Sequence, residues 1–277
     1  MLQDIYPQIY HNEMSFRTPI AGDTALIYTP QGIICQQGEG DLLLPRIDQC
    51  TPETEWIYAF SIDETCYYLP LTDTDAPGFA PCGDYRSLAR RVTAFACSVG
   101  HSLHRWYRGN RFCGACGHPM NPDDKERAMV CPQCAHGVYP KICPAVIVAV
   151  YHGDRLLLTR YAGRAFKRYA LVAGFCEIGE TVEDCVRREV MGETGLKVDQ
   201  LTFYKSQPWV VTDTLLMGFF ARLSGGEDVR LQEDELAEAT WFNREEIPGE
   251  YSGDSLTGEM ISLIRKGFDL PCAYFFT

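Results

Sequence analysis

Residues 1 to about 84 alternate short apolar runs with turn residues. Ala25-Leu26-Ile27-Tyr28 stops at Thr29-Pro30, Leu42-Leu43-Leu44 stops at Pro45, and Trp56-Ile57-Tyr58-Ala59-Phe60 makes a third run. Runs of this length bounded by turn signals predict a β-rich region. From Tyr85 to Tyr107 the spacing changes. Leu88, Val92, Phe95, Val99 and Leu103 recur every three or four residues, which predicts one amphipathic helix, ended by Gly109-Asn110. Residues 111–140 form a compact Cys, Gly and Pro segment. Beyond it, Ala145-Val146-Ile147-Val148-Ala149-Val150 reads as a buried strand, and Gly153-Asp154 turns it into a second, Leu156-Leu157-Leu158-Thr159. Leu171-Val172-Ala173 is a third. Thr181 to Glu193 reads as a helix that stops at Gly195. Strands at 202–206 and 214–223 and a helix near 256–266 complete the pattern.

Three parts follow: a β-rich N-terminal domain ending in a helix over 1–107, a cysteine segment over 108–140, and a second globular domain over 141–277. The fold class is α+β. With 277 residues, 46% apolar and 22% charged, the composition is that of a globular protein and excludes a disordered or fibrous chain. No apolar run approaches the roughly 20 residues of a membrane helix. The start, Met1-Leu2-Gln3-Asp4-Ile5-Tyr6, lacks the basic and apolar regions of a signal peptide. The expectation is a soluble, cytoplasmic protein with no membrane partner. Twenty-five basic against 37 acidic residues give a net charge of −12, which argues against nonspecific nucleic-acid binding. A small anionic substrate would need local cations or bound metal.

Thirteen cysteines would suggest disulfides in a short secreted chain. Four have another explanation. Cys113-x2-Cys116-x14-Cys131-x2-Cys134 offers two knuckles of two thiolates each, enough to complete one tetrahedral zinc site. A closed four-thiolate site leaves no position for substrate, so the zinc is structural. The other nine cysteines read as small apolar residues.

A second constellation runs from Gly174-Phe175-Cys176-Glu177-Ile178-Gly179-Glu180 to Arg188-Glu189-Val190-Met191-Gly192-Glu193-Thr194-Gly195-Leu196. Glu189 and Glu193 share one helix face and repel unless something positive lies between them. Hard oxygen ligands suit Mg²⁺ or Mn²⁺. Glu180 and Arg188 can pair, and Gly174 permits a tight backbone whose carbonyls could face a metal. For the helix alone, a solvated charged face explains the carboxylates equally well.

The complete spacing, Gly-x5-Glu-x7-Arg-Glu-Val-x-x-Glu-x-Gly-Leu, resembles the long signature of the Nudix hydrolases, which cleave nucleoside diphosphates linked to another moiety. One position departs: Gly192 stands where the family pattern has a glutamate. The four-cysteine segment before this signature resembles that of the NADH pyrophosphatase (NAD diphosphatase) subfamily, as do Phe112-Cys113-Gly114-Ala115-Cys116-Gly117-His118 and Tyr139-Pro140. Ser206-Gln207-Pro208-Trp209 is similar to the start of the subfamily motif Ser-Gln-Pro-Trp-Pro-Phe-Pro-x-Ser, but the chain continues Val210-Val211-Thr212-Asp213-Thr214. The resemblance covers about residues 105–265.

The resemblance implies a Nudix α/β/α sandwich behind the β-rich domain and a zinc ribbon. It implies hydrolysis of the pyrophosphate bond of NADH or NAD⁺ to nicotinamide mononucleotide and AMP, by a homodimer, with RNA as a partner only if NAD-capped. Its implied cofactors are one structural Zn²⁺ and catalytic Mg²⁺ or Mn²⁺. The catalytic metal would be held by the Ala173–Gly174 backbone, Glu189, Glu193 and Glu235. Glu189 and Glu193 would also be the catalytic residues. Glu180 and Arg188 would be structural within the motif. Glu126, Tyr139, Phe175, Gln207, Pro208, Trp209, Thr214 and Thr257 would contact substrate. For Phe175 and Trp209, core packing is an equal alternative. Arg155, Arg160, Arg164, Lys167 and Arg168 form the densest basic stretch of this half, more a solvated loop than a phosphate site. The competing function is a nucleotide-binding sensor of the same fold with impaired catalysis, motivated by Gly192.

Overall fold

The computed structural model describes residues 1–163, 168–231, 236–251 and 253–267. The chain folds as two compact units, Leu2–Lys141 with Val210–Asp213, and Ile142–Trp209 with Met1 and the chain from Thr214 onward.

In the first unit, strand β1 (Gly32–Gln37) pairs with Tyr28–Thr29, Leu42–Leu43 and Ala80–Cys82. Strands β2 (Trp56–Ile62) and β3 (Thr65–Pro70) form the centre of a second sheet, flanked by Tyr10–His11 and Thr24–Ala25. The expected run Ala25–Tyr28 is therefore divided between two sheets. The expected helix is also divided. A single turn, Tyr85–Leu88, is followed by extended backbone at Ala89 and Arg90, with ψ of 153° and 155°, and then by α1 (Arg91–Gly109). A remote group holds this junction. The Asp41 carboxylate accepts the Arg90 N–H at 2.8 Å, a donor that the helix start leaves without an intrahelical partner, and the Thr93 hydroxyl at 2.9 Å. Leu88, assigned to the buried stripe on spacing, lies outside α1 and is 46% exposed.

Phe95, Val99 and Trp106 of α1 pack with Phe60 and Leu69, and the same cluster includes Cys113, Met120, Met129 and Cys131. The cysteine segment thus shares the core of the β-rich part. It adds a three-stranded sheet of Asn121–Pro122, Met129–Val130 and Gly137–Val138.

The second unit is built on β4 (Cys143–His152), parallel to β8 (Thr214–Leu223) over its length. On its other edge β4 takes two antiparallel partners in turn, β6 (Val172–Phe175) along Ala145–Val148 and β5 (Arg155–Tyr161) through the hairpin. Strand β7 (Val198–Trp209) adds to β8, and β9 (Leu236–Asn243) adds to β5. Pro208 falls on β7, an edge of this sheet, where a missing N–H is tolerated. The unbroken apolar run in β4 has a direct explanation. Val146, Val148 and Val150 pack toward Cys185, Val186 and Val190 of α2 (Val182–Thr194). Ile147, Ala149 and Tyr151 pack toward Leu256, Met260 and Ile261 of α3 (Leu256–Arg265). A strand covered on both faces needs no polar alternation. The result is an α/β/α sandwich.

Candidate functional site

The acidic helix α2 begins at Thr181, whose hydroxyl accepts the Asp184 N–H at 3.2 Å, and ends at Gly195, with φ of 71°. Only a residue without Cβ adopts that left-handed cap at little cost. The helix buries Cys185, Val186 and Val190 on the sheet, and Glu193 is carried with them to 3% exposure.

Glu189, one turn earlier, lies against β6. A Cβ built on Gly174 would overlap the Glu189 carboxylate itself. Gly174 is thus the condition for that carboxylate to rest on the strand backbone. Arg188 fixes the arrangement. It donates to Glu180 at 2.6 and 2.8 Å, to the Phe175 carbonyl at 2.8 Å and to Glu189 at 2.6 Å. The Glu177 N–H donates to Glu180 at 3.0 Å. Arg188 and then this N–H hold the Glu180 carboxyl down at about 2. One guanidinium therefore ties the loop after β6 to the helix and to one of the two paired acids.

The donor set fits a hard divalent cation. It offers carboxylate oxygens at Glu189 and Glu193 and a strand backbone that Gly174 keeps open. Glu235 lies outside the described residues. Gly192 is exposed on α2, in the turn between the two acids. Phe175 is 54% exposed at the end of β6, beside the site, and Trp209 is half-buried opposite Thr214. Gln207 is fully buried. Its side chain accepts the Leu256 N–H at 2.8 Å and donates to the Asp254 carbonyl at 3.3 Å, so it anchors the start of α3, where Thr257 is the second residue. Pro208 is exposed and Thr214 buried. Of the basic stretch, Arg155 pairs with Glu227 at 2.6 Å, and Arg160 pairs with Glu238 at 3.3 Å while lying over the Tyr169 ring. Arg164 and Lys167 lie outside the described residues. Sequence reasoning missed Glu259 of α3, which accepts from Tyr204 at 2.6 Å and Lys205 at 3.0 Å; no motif marks those positions.

In the other unit, Glu126 and Tyr139 are both exposed and meet in a hydrogen bond of 2.5 Å, the Tyr139 hydroxyl donating. Among the described residues, Cys113, Cys116, Cys131 and Cys134 are the one group of three or more potential ligands whose atoms converge within 4.8 Å. Their Sγ atoms approach to 3.6 Å (Cys113–Cys134) and 3.5 Å (Cys116–Cys131). A zinc tetrahedron with arms of about 2.3 Å has edges of about 3.8 Å, so four thiolates here fit the ion. The two knuckles repeat one another. The Gly117 N–H donates to the Cys113 carbonyl and the Ala135 N–H to the Cys131 carbonyl, at 2.8 and 2.9 Å.

The α/β/α sandwich with its glycine-cradled acidic helix, and the four-cysteine ribbon in the same chain, are the architecture of a Nudix domain joined to a zinc ribbon. Residues 141–262 match the NUDIX domain and residues 108–139 match the NADH pyrophosphatase zinc ribbon domain. The chain thus carries a NUDIX domain and, directly before it, a zinc ribbon of the NADH pyrophosphatase kind. Among curated proteins it is similar to the NAD-capped RNA hydrolase NudC of Salmonella heidelberg (strain SL476), 42% identical over 149 residues, 54% of this chain and 58% of that protein. The NAD-capped RNA hydrolase NudC of Salmonella typhi matches to the same extent, 42% over 149 residues. The chain thus spans little more than half the length of these relatives. Among solved structures it is similar to a NUDIX hydrolase from Nitrosomonas europaea, 19% identical, with a TM-score of 0.46 over 56% of this chain and 91% of that one. Among the described residues no helix is long and apolar enough to cross a membrane.

Proposed function

We propose that the chain is a metal-dependent NAD(H) diphosphatase. It hydrolyses the pyrophosphate bond of NADH or NAD⁺ to nicotinamide mononucleotide and AMP, and accepts NAD at the 5′ end of RNA as a further substrate. The observation that carries this reading is the cradle in which Gly174 admits the Glu189 carboxylate to the strand while Glu193 is buried one turn on. The names of the curated relatives point to the same substrate class. The intact Arg188 network favours an enzyme over a sensor that has lost catalysis.

In this proposal Glu189, Glu193, the Ala173–Gly174 backbone and Glu235 hold Mg²⁺ or Mn²⁺. Such a cation, when bound, offsets the charge of the two phosphates and lowers the pKa of a water. The residues of the chain do the rest. Arg188 holds Glu189 in place, and Glu189 or Glu193 accepts the proton of the attacking water. The water oxygen bonds to phosphorus as the bridging P–O bond breaks, and no covalent enzyme intermediate is required. Phe175 and Trp209 stack on the base or nicotinamide, with Pro208, Thr214 and Thr257 as further substrate contacts and Gln207 supporting them from within. A homodimer in the cytoplasm, and the division into 1–107, 108–140 and 141–277, belong to the same proposal.

The test is release of AMP and nicotinamide mononucleotide from NADH, with and without Mn²⁺. Glu193→Gln keeps the shape of the buried side chain and removes its charge. It should lower turnover by about 10²–10⁴-fold with an unchanged melting temperature. Unchanged turnover removes Glu193 from the mechanism. A silent parent protein that a Gly192→Glu variant reactivates would favour the sensor.

A further inference from the structure

We propose that the N-terminal unit carries a nucleotide site of its own, which takes a nucleoside phosphate without metal. A cavity of about 360 Å³ opens between the end of β3, the last turn of α1 and the zinc ribbon, within the usual range for small-molecule sites. It adjoins a second cavity of about 540 Å³, with Leu71, Arg108 and Arg111 lining both. All of these residues belong to one compact unit.

The lining combines three chemistries. Arg108 and Arg111 bring two guanidiniums, and planar guanidinium forks match phosphate oxygens. Arg108 lies 3.9 Å from Asp73, whose side chain is fully solvated, a pairing that water screens to little. The Arg111 guanidinium has no ion pair among the described residues. Phe112 presents a ring that is 62% exposed, above a buried floor that includes Met129. Such a ring takes any base by stacking. Glu55, exposed at the rim, is an acceptor for ribose hydroxyls. Taken singly, each residue has an ordinary explanation. Arg108 also complements the C-terminus of α1, and one exposed aromatic is common on any surface. An anion, a flat ring and hydroxyl groups on one ligand use all three features of one concavity, and that ligand is a nucleoside phosphate.

This site goes beyond the proposed hydrolysis and does not depend on it. AMP is titrated calorimetrically into the full-length, zinc-loaded protein without added Mg²⁺ or Mn²⁺. The parent should bind, and the double variant Arg108→Ala/Arg111→Ala should bind about tenfold or more weakly, with its melting temperature unchanged. Photolabelling with 8-azido-AMP should mark the peptide that contains Phe112. Tri-adenylate, titrated in parallel, distinguishes a free nucleotide from a strand by which of the two binds more tightly. AMP affinity equal in parent and double variant overturns the site. Inorganic phosphate that binds as tightly as AMP overturns its nucleoside character. A protein inactive on NADH would sink the diphosphatase reading and leave this test standing.

Discussion

Gly174 shows why a residue with no side chain can be decisive. The space its missing Cβ leaves is filled by the Glu189 carboxylate, so Gly174→Ala must displace the group proposed to hold metal. We expect NADH turnover to fall at least as far as with Glu193→Gln, while urea unfolding shifts by about 1–3 kcal/mol, the usual cost of overpacking. Full activity in the variant would show that Glu189 can work from elsewhere. Glu180 makes a prediction in pH. Its folded-state carboxyl sits at about 2 against an ordinary 4.5, so the stability it contributes is fully present above 4.5 and is lost as pH falls through about 2. Glu180→Gln should therefore flatten the acid limb of a pH–stability curve between those values; an identical limb would show that the Arg188 pairing adds nothing measurable. The paired acids were legible in the sequence because helical spacing alone places Glu189 and Glu193 together. The reason for Gly174 was not, because the collision it avoids joins a strand to a helix that its neighbours in sequence do not reveal.

At the scale of elements, legibility followed the origin of the signals. Helix α2 carries its start at Thr181 and its stop at Gly195 within its own sequence, and its limits were readable to within a residue or so. The start of helix α1 is held by Asp41, in a different loop, so its periodicity overran the true start by six residues, from Arg91 back to Tyr85. Gln207 belongs to the same lesson. Its motif suggested substrate contact, whereas its amide is engaged with the first backbone groups of α3. Gln207→Ala leaves the Leu256 N–H and the Asp254 carbonyl without that partner. It should cost about 1–3 kcal/mol in denaturant unfolding. An effect confined to KM for NADH, with stability unchanged, would return Gln207 to direct substrate contact.

For the whole molecule, the zinc ribbon is part of a core and not an appendage. Cys113 and Cys131 are buried in the cluster that holds Phe60, Phe95 and Trp106, so removal of zinc should loosen the β-rich unit as well as residues 111–140. Structural zinc in peptides binds with about 10–16 kcal/mol, as much as the total stability of an ordinary domain, about 5–15 kcal/mol. Chelation, or Cys113→Ser, should abolish the near-ultraviolet dichroism of Trp106 and its neighbours; an unchanged spectrum in zinc-free protein would confine the metal's influence to its own loops. The spacing of the cysteines announced this ion, but the core it shares with α1 and β2 emerges only from packing. The parallel pairing of β4 with β8 has a different consequence, for biosynthesis. On the ribosome, β4 is completed long before β8 and α3 exist to cover it. An uncharged run, Ala145–Val150, waits through that interval with the backbone edge that β8 will take still open, the circumstance in which nascent chains aggregate. Slower translation between His152 and Thr214 would lengthen the wait, so the yield of native protein in a cell should depend on codon choice and chaperone supply in that interval more than on the stability of the finished fold.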